Sequence, residues 1–221
     1  MSFPSFPILA VDLSSPVSSL AICEKEGGVL RVLGEEWLTE RNSHSELFLS
    51  ALDSLLGKQS LRLDKIEAFL TARGPGSFTG LRIAFATLLG FNKVKPRIIY
   101  SLLGTEARVW GFRHQSNETG PLRVLTKIAT GRFLESDFDA DGKLIREEEL
   151  TILSKLPDDM RVLNDGGVDT SLLPQGRVVN YPLHASDLAL GFSKGLTLKQ
   201  HTPESGYADF QPTYFGSSKF D

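Results

Sequence analysis

The sequence predicts a mixed α/β protein of two related units, each a mixed sheet flanked by helices. Three observations point there. Residues 66–91 read as strand, tight turn and helix. Ahead of them lie three strands and an apolar helix, and after residue 121 the three-strand pattern recurs in shorter form.

The turn in that central stretch is Arg73-Gly74-Pro75-Gly76-Ser77-Phe78-Thr79-Gly80-Leu81-Arg82. Gly74 and Gly76 accept positive φ, Pro75 sets its own φ near −65°, and Ser77 suits an N-cap. A helix is therefore expected from residue 78 to about 92. Helical projection puts Phe78, Leu81, Phe85, Leu88 and Leu89 on one side and Gly80, Ile83, Ala84, Thr87, Gly90 and Phe91 on the other. With no charge after Arg82 until Lys93, this helix needs cover on both sides. The helix expected from His44 has apolar positions sweeping roughly 200°, about twice what one packed face needs. Both helices thus have apolar surface to spare, and a partner can supply the second neighbour. Phe48, Leu49, Leu52 and Leu56, with Gly80, Ile83, Ala84 and Thr87, are the expected contact residues.

In chain order, residues 6–13 form a buried strand ending at Asp12, followed by the turn Ser14-Ser15-Pro16. Residues 19–24 and 29–39 complete a meander. Asn42 or Ser43 caps the next helix and Gly57 closes it. Residues 97–100 form a further strand, and Ser101 can cap a third helix over residues 103–112. The polar stretch 113–121 marks a boundary, giving an N-terminal unit of residues 1–113 and a smaller unit of residues 114–221. In the second unit, strands are expected at 123–129, 132–139, 143–153 and 161–164, with a short helix near 153–156 and another at 185–196. Each unit has the layout of a ribonuclease-H-like lobe.

The chain has 221 residues with 24 Lys+Arg against 27 Asp+Glu, a net charge of −3. That excludes a bulk basic field for holding a nucleic-acid backbone. Lys93, Lys95 and Arg97, and Arg108 with Arg113, are small basic clusters expected at solvated faces. The single Cys23, within an apolar run, excludes an internal disulfide. No run approaches a membrane span, and a cytoplasmic protein is expected.

Chemistry-bearing motifs are sparse. The free amides after Gly74 and Gly76 can hold an anion or simply close a turn. Asp12, with Ser14 beyond it, stands where actin-like ATPases and sugar kinases hold a metal-linked acid, or it caps its own turn. Asp165-Gly166-Gly167 is either a tight turn or the glycine pair beside a nucleotide. The four histidines, His44, His114, His184 and His201, lack metal-ligand spacing. No complete catalytic set emerges, and no cofactor is expected.

Three stretches resemble the bacterial TsaB (YeaZ) family: Ile8-Leu9-Ala10-Val11-Asp12-Leu13-Ser14-Ser15, His44-Ser45 with its Leu-rich helix, and the motif from Arg73 to Arg82. The resemblance extends to the 130–138 hairpin, the Gly166-Gly167 turn, the helix at Ala185 and Gln211-Pro212-Thr213-Tyr214-Phe215. It implies an actin-like, two-lobed fold and a subunit without catalysis of its own. The two N-terminal helices, His44 included, would bind the catalytic subunit TsaD, with the ATPase TsaE near the junction and tRNA reached indirectly. Alone, the chain could form a homodimer through the same helices. The rival reading is an independent actin-like nucleotide-dependent enzyme using Asp12, Ser14, Gly74, Gly76, Gly166 and Gly167. The chain has Ile128-Ala129-Thr130-Gly131-Arg132 where the family carries an Asp-Ala-Arg stretch, and Gly216 where it carries Arg.

Overall fold

The computed structural model describes residues 7–26, 29–38, 44–196 and 198–213. The apolar run at the start forms β1 (Ile8–Asp12), buried throughout. Strands β2 (Ser18–Glu26) and β3 (Val29–Leu38) pair antiparallel beside it. Helix α1 (His44–Lys58) leads to β4 (Ala68–Ala72), α2 (Phe78–Val94) and β5 (Ile98–Leu102), and the β1–β4 and β4–β5 pairings are parallel. Helix α3 (Gly104–Ser116) crosses to the second sheet.

There the pattern repeats: β6 (Leu122–Ala129), β7 (Arg132–Phe138) and β8 (Leu144–Leu150) form a meander, followed by β9 (Arg161–Asn164) and β10 (Val178–Asn180). The strand order is β3-β2-β1-β4-β5 in the first sheet and β8-β7-β6-β9-β10 in the second, the same order of the same units. This is the α/β, actin-like arrangement of two ribonuclease-H-like lobes with mixed sheets flanked by helices.

Period-2 alternation along β1 divides the first sheet's two layers. Leu9 and Val11 face Phe48, Leu52, Phe85 and Leu88 of α1 and α2. Ile8 and Ala10 face Leu188, Ala189 and Phe192 of α4 (Ala185–Ser193). Each such buried Leu or Phe contributes roughly 1.5–3 kcal/mol. The last strand, β11 (Lys199–His201), joins the β5 edge of the first sheet. Residues 185–210, grouped with the second unit from sequence, thus lie on the first sheet. The apolar face of α4 matches the uncovered side of β1, which decides the matter.

Other expectations differ locally. No helix forms at residues 153–156, because Leu156 precedes Pro157 and is pushed out of the α region. Gly57 does not close α1, which runs through Lys58. Ser101 lies within β5 rather than capping α3, whose N-cap Leu103 makes no side-chain bond. The three-residue strands β10 and β11 are too short to show alternation in the sequence. The caps expected at Asn42 or Ser43, the His44 side chain and residues 214–221 lie outside the described residues.

Candidate functional site

Helix α2 starts where its cap dictates, with the Ser77 hydroxyl accepting from the Gly80 amide at 3.2 Å. Its inward face is Gly80, Leu81, Ala84, Phe85, Leu88 and Asn92. Phe78, Thr79, Arg82, Ala86, Gly90, Lys93 and Val94 face outward, Val94 with 89% exposure. On α1, Phe48, Leu52, Leu55 and Leu56 are buried in the chain's own core, whereas Leu49 is 56% exposed.

The contact residues expected from sequence therefore need correction. Phe48, Leu52, Leu56, Gly80 and Ala84 are core residues, filled by the sheet beneath. Gly80 is small because a Cβ there would lie 1.7 Å from the Leu13 carbonyl oxygen. Leu49 is exposed, and Ile83 and Thr87 are half-buried at the margin. Sequence reasoning missed Ala86 and Val94. They continue the outward row Arg82, Ala86, Gly90 and Val94 at a spacing of four, a stripe hidden because the helix is apolar almost all round. What remains outside is a strip of small and apolar groups along α2, with Leu49 on α1.

The turns after β1 and β4 lie together. The Ser77 amide donates to the Ser14 carbonyl at 2.7 Å, and a Cβ on Gly76 (φ 153°) would approach that same oxygen to 2.5 Å. Gly74 (φ 114°) faces the Thr213 carbonyl instead. A cleft of about 550 Å³ separates this corner from the second sheet. It brings together Ser14, Ser77 and Thr79 with Lys127, Gly166 and Gly167. Asp12 is fully buried beneath it, and its carboxylate accepts from the Ser14 amide (3.0 Å) and the Ser14 and Ser15 hydroxyls (2.5 and 2.9 Å). Burial raises its pKa, against which the hydroxyl and amide bonds act. Across the cleft, Asp165 accepts from the amides of Lys127 (2.9 Å) and Gly167 (2.8 Å). Both acids are thus engaged within the chain, Asp12 by its own turn and Asp165 by its turn and by the Lys127 amide of β6. Among the described residues no three His, Cys, Asp or Glu converge on a possible metal site.

Two polar clusters have other duties. Ser101 Oγ, His201 Nε2 and Asp209 form a relay with distances of 2.9 and 3.0 Å, the connectivity of a nucleophile, base and acid. Ser101 and His201 are each about 1% exposed within paired strands, so no substrate reaches them, and the relay fastens β11 to β5. His201 is therefore a core residue. Arg97 and Arg108, expected at solvated faces, are likewise buried, as is Arg113. Arg97 donates to the Ile66, Leu63 and Lys95 carbonyls.

In the second cluster Asp187 of α4 accepts from the Tyr181 hydroxyl at 2.9 Å and the His184 amide at 3.0 Å. Burial pushes the Asp187 carboxyl up to about 7 and the neighbouring His184 imidazole down to about 4. A carboxyl whose pKa is raised on folding favours the native state most below its unfolded value near 3.8 and loses that contribution as pH rises through about 7. Asp187→Asn removes this titration. The gap in Tm between wild type and variant should therefore shrink on going from about pH 5 to about pH 8. A constant or widening gap in thermal melts at the two pH values would contradict it.

The chain has relatives in several bacteria. The family model described as TsaD, tRNA N6-adenosine threonylcarbamoyltransferase, matches residues 31–99. A protein of Buchnera aphidicola named tRNA threonylcarbamoyladenosine biosynthesis protein TsaB is 34% identical over 152 residues, covering 66% of this chain and 65% of that protein. The Haemophilus influenzae protein of the same name is 32% identical over 111 residues, 49% of this chain and 45% of that one. The match thus spans just under two thirds of the first relative's length and under half of the second's. The solved structure of YeaZ from Pseudomonas aeruginosa superposes with a TM-score of 0.66 at 21% identity, covering 86% of this chain and 94% of that one, and shares its fold. These matches support a TsaB (YeaZ) assignment, and the chain shares the YeaZ fold.

Proposed function

We propose that this chain is a non-catalytic, cytoplasmic subunit in tRNA threonylcarbamoyladenosine biosynthesis, docking on TsaD through the outer faces of α1 and α2. The observation that carries the reading is the exposed strip of Ala86, Gly90 and Val94 on α2 together with the exposed Leu49 on α1. Small residues let another helix approach closely, and exposed aliphatic groups reward their burial. Residues 31–99, which match the TsaD family model, contain both helices. That relation favours helix pairs of similar shape meeting like on like. Without TsaD, the same strip would pair two copies of this chain.

The engagement of Asp12 and Asp165 by donors within the chain supports a subunit that leaves chemistry to TsaD. In this reading TsaE joins near the junction of the two chains, and tRNA is met only through the assembly. The test is co-purification with TsaD, followed by a tRNA modification assay with and without this chain. Gly90→Trp and Ala86→Trp should leave the fold intact, since a Cβ at Gly90 meets nothing within 4 Å and Ala86 faces outward. Each should weaken TsaD binding by tenfold or more, about 1.4 kcal/mol. Wild-type binding by both variants would sink the assignment.

A further inference from the structure

A sheet inside an α/β fold is expected to be covered on both faces. In the second sheet, one face is covered by α3, whose Val109 and Phe112 pack on Leu122, Val124, Phe138 and Leu163. The opposite face presents Leu125, Phe133 and Val162. Over it the described residues place no α-helix, only the loop at 151–160 and the segment 165–177, which ends in a short 3-10 turn at Gln175–Arg177. Between those loops runs a groove of about 760 Å³, the size of a binding cleft.

The groove is apolar below and exposed at its rim. Phe133, Leu153, Leu156, Val168 and Leu173 line it. Ile152 and Leu172, also lining it, are 78% and 89% exposed, two of the most exposed large hydrophobic side chains described. Paired apolar groups at one opening mark an interaction surface rather than random exposure.

Charge then selects the occupant. Lys127, Arg132, Lys155 and Arg177 line the groove against two carboxylates, Asp158 and Asp169, an excess of two positive charges in a chain of net −3. Arg132 pairs with Glu149, and Arg177 is held by the carbonyls of Met160 and Asp158, so the exposed Lys127 and Lys155 supply most of the attraction. The wall is also pinned in place. Ser154 donates its amide and hydroxyl to the buried Glu135, which belongs to a closed network with Arg123, Asp137 and Arg146.

We infer that this groove docks a segment of a partner protein that alternates apolar and acidic side chains, at a site separate from the α1/α2 face. Its aliphatic groups would fill the floor between Ile152 and Leu172 while its carboxylates meet the two lysines.

The test is an amide NMR titration of the full chain with a pool of short peptides carrying Leu, Ile or Phe alternating with Asp or Glu. Saturable shifts should fall at residues 127–133, 151–158 and 167–177 and weaken with added salt. A pool with Lys or Arg in place of the acids should give none. Leu172→Asp and Ile152→Asp, both at exposed positions, should melt like wild type, keep TsaD binding and lose about tenfold or more in peptide affinity. The inference is overturned by no saturable shift, equal response to the basic pool, shifts mapping elsewhere, or wild-type affinity in both variants. Shifts produced instead by vesicles of anionic lipid, with none from the acidic peptides, would overturn it in favour of a membrane surface.

Discussion

Gly80→Ala should destabilise the protein by about 3 kcal/mol or more, lowering the Tm by roughly 6–12 °C. The added Cβ would lie 1.7 Å from the carbonyl oxygen and 2.8 Å from the carbonyl carbon of Leu13, where real contacts begin near 3 Å. Neither side can yield easily. Leu13 is buried at the end of β1, and the Ser77 amide fastens the same corner by its 2.7 Å bond to the Ser14 carbonyl. If α2 withdraws, it opens space beneath Leu81, Phe85 and Leu88. If the Leu13–Ser14 turn moves, Asp12 loses the donors that satisfy its buried carboxylate. Gly90→Ala on the same helix is the control. There the Cβ meets nothing, and helix propensity predicts a gain of about 0.5–1 kcal/mol. Equal melting temperatures for the two variants would show that the close approach of α2 to β1 does not limit the fold.

That contrast also separates what the sequence could reveal from what it could not. The cap at Ser77, the strand ending at Asp12 and the repeated meander are local signals, and the chain's elements follow them. The rotation of α2 about its axis is not local. With apolar residues on nearly every side, the pattern has little amphipathic contrast, so Gly80 and Ala84 read as partner-facing when they face Leu13 and the sheet. The return of α4 to the first sheet was illegible for a similar reason. Ala185, Leu188, Ala189 and Phe192 announce a buried helix without naming the surface they cover. Arginine was the most misleading residue. A charge read alone implies solvent, whereas the burial of Arg97, Arg108 and Arg113 is settled by carbonyls far away in the chain.

Arg108 shows how much rests on such a residue, and replacing it should cost about 3–5 kcal/mol. From α3 its guanidinium, 2% exposed, reaches the ends of strands in the second sheet. Nε and Nη2 donate to the Tyr181 carbonyl (3.0 and 2.8 Å), Nη1 to the Leu125 carbonyl (3.2 Å) and Thr126 Oγ1 (3.0 Å), and Nη2 to the Leu163 carbonyl (3.3 Å). Burial disfavours the charge, while Asp165, Asp187 and Asp12 favour it from beyond hydrogen-bonding distance. Arg108→Met keeps the apolar stem but strands these buried acceptors. Arg108→Lys should recover little, because one ammonium cannot span acceptors on separate strands as the planar fork does. A second readout distinguishes lost charge from lost packing. The Arg108 cation lowers the pKa values of both Asp187 and His184, so Arg108→Met should move both titrations upward in an NMR pH series. Unchanged titrations with a near-wild-type melt would mean that the guanidinium neither joins α3 to the second sheet nor sets the charge balance around α4.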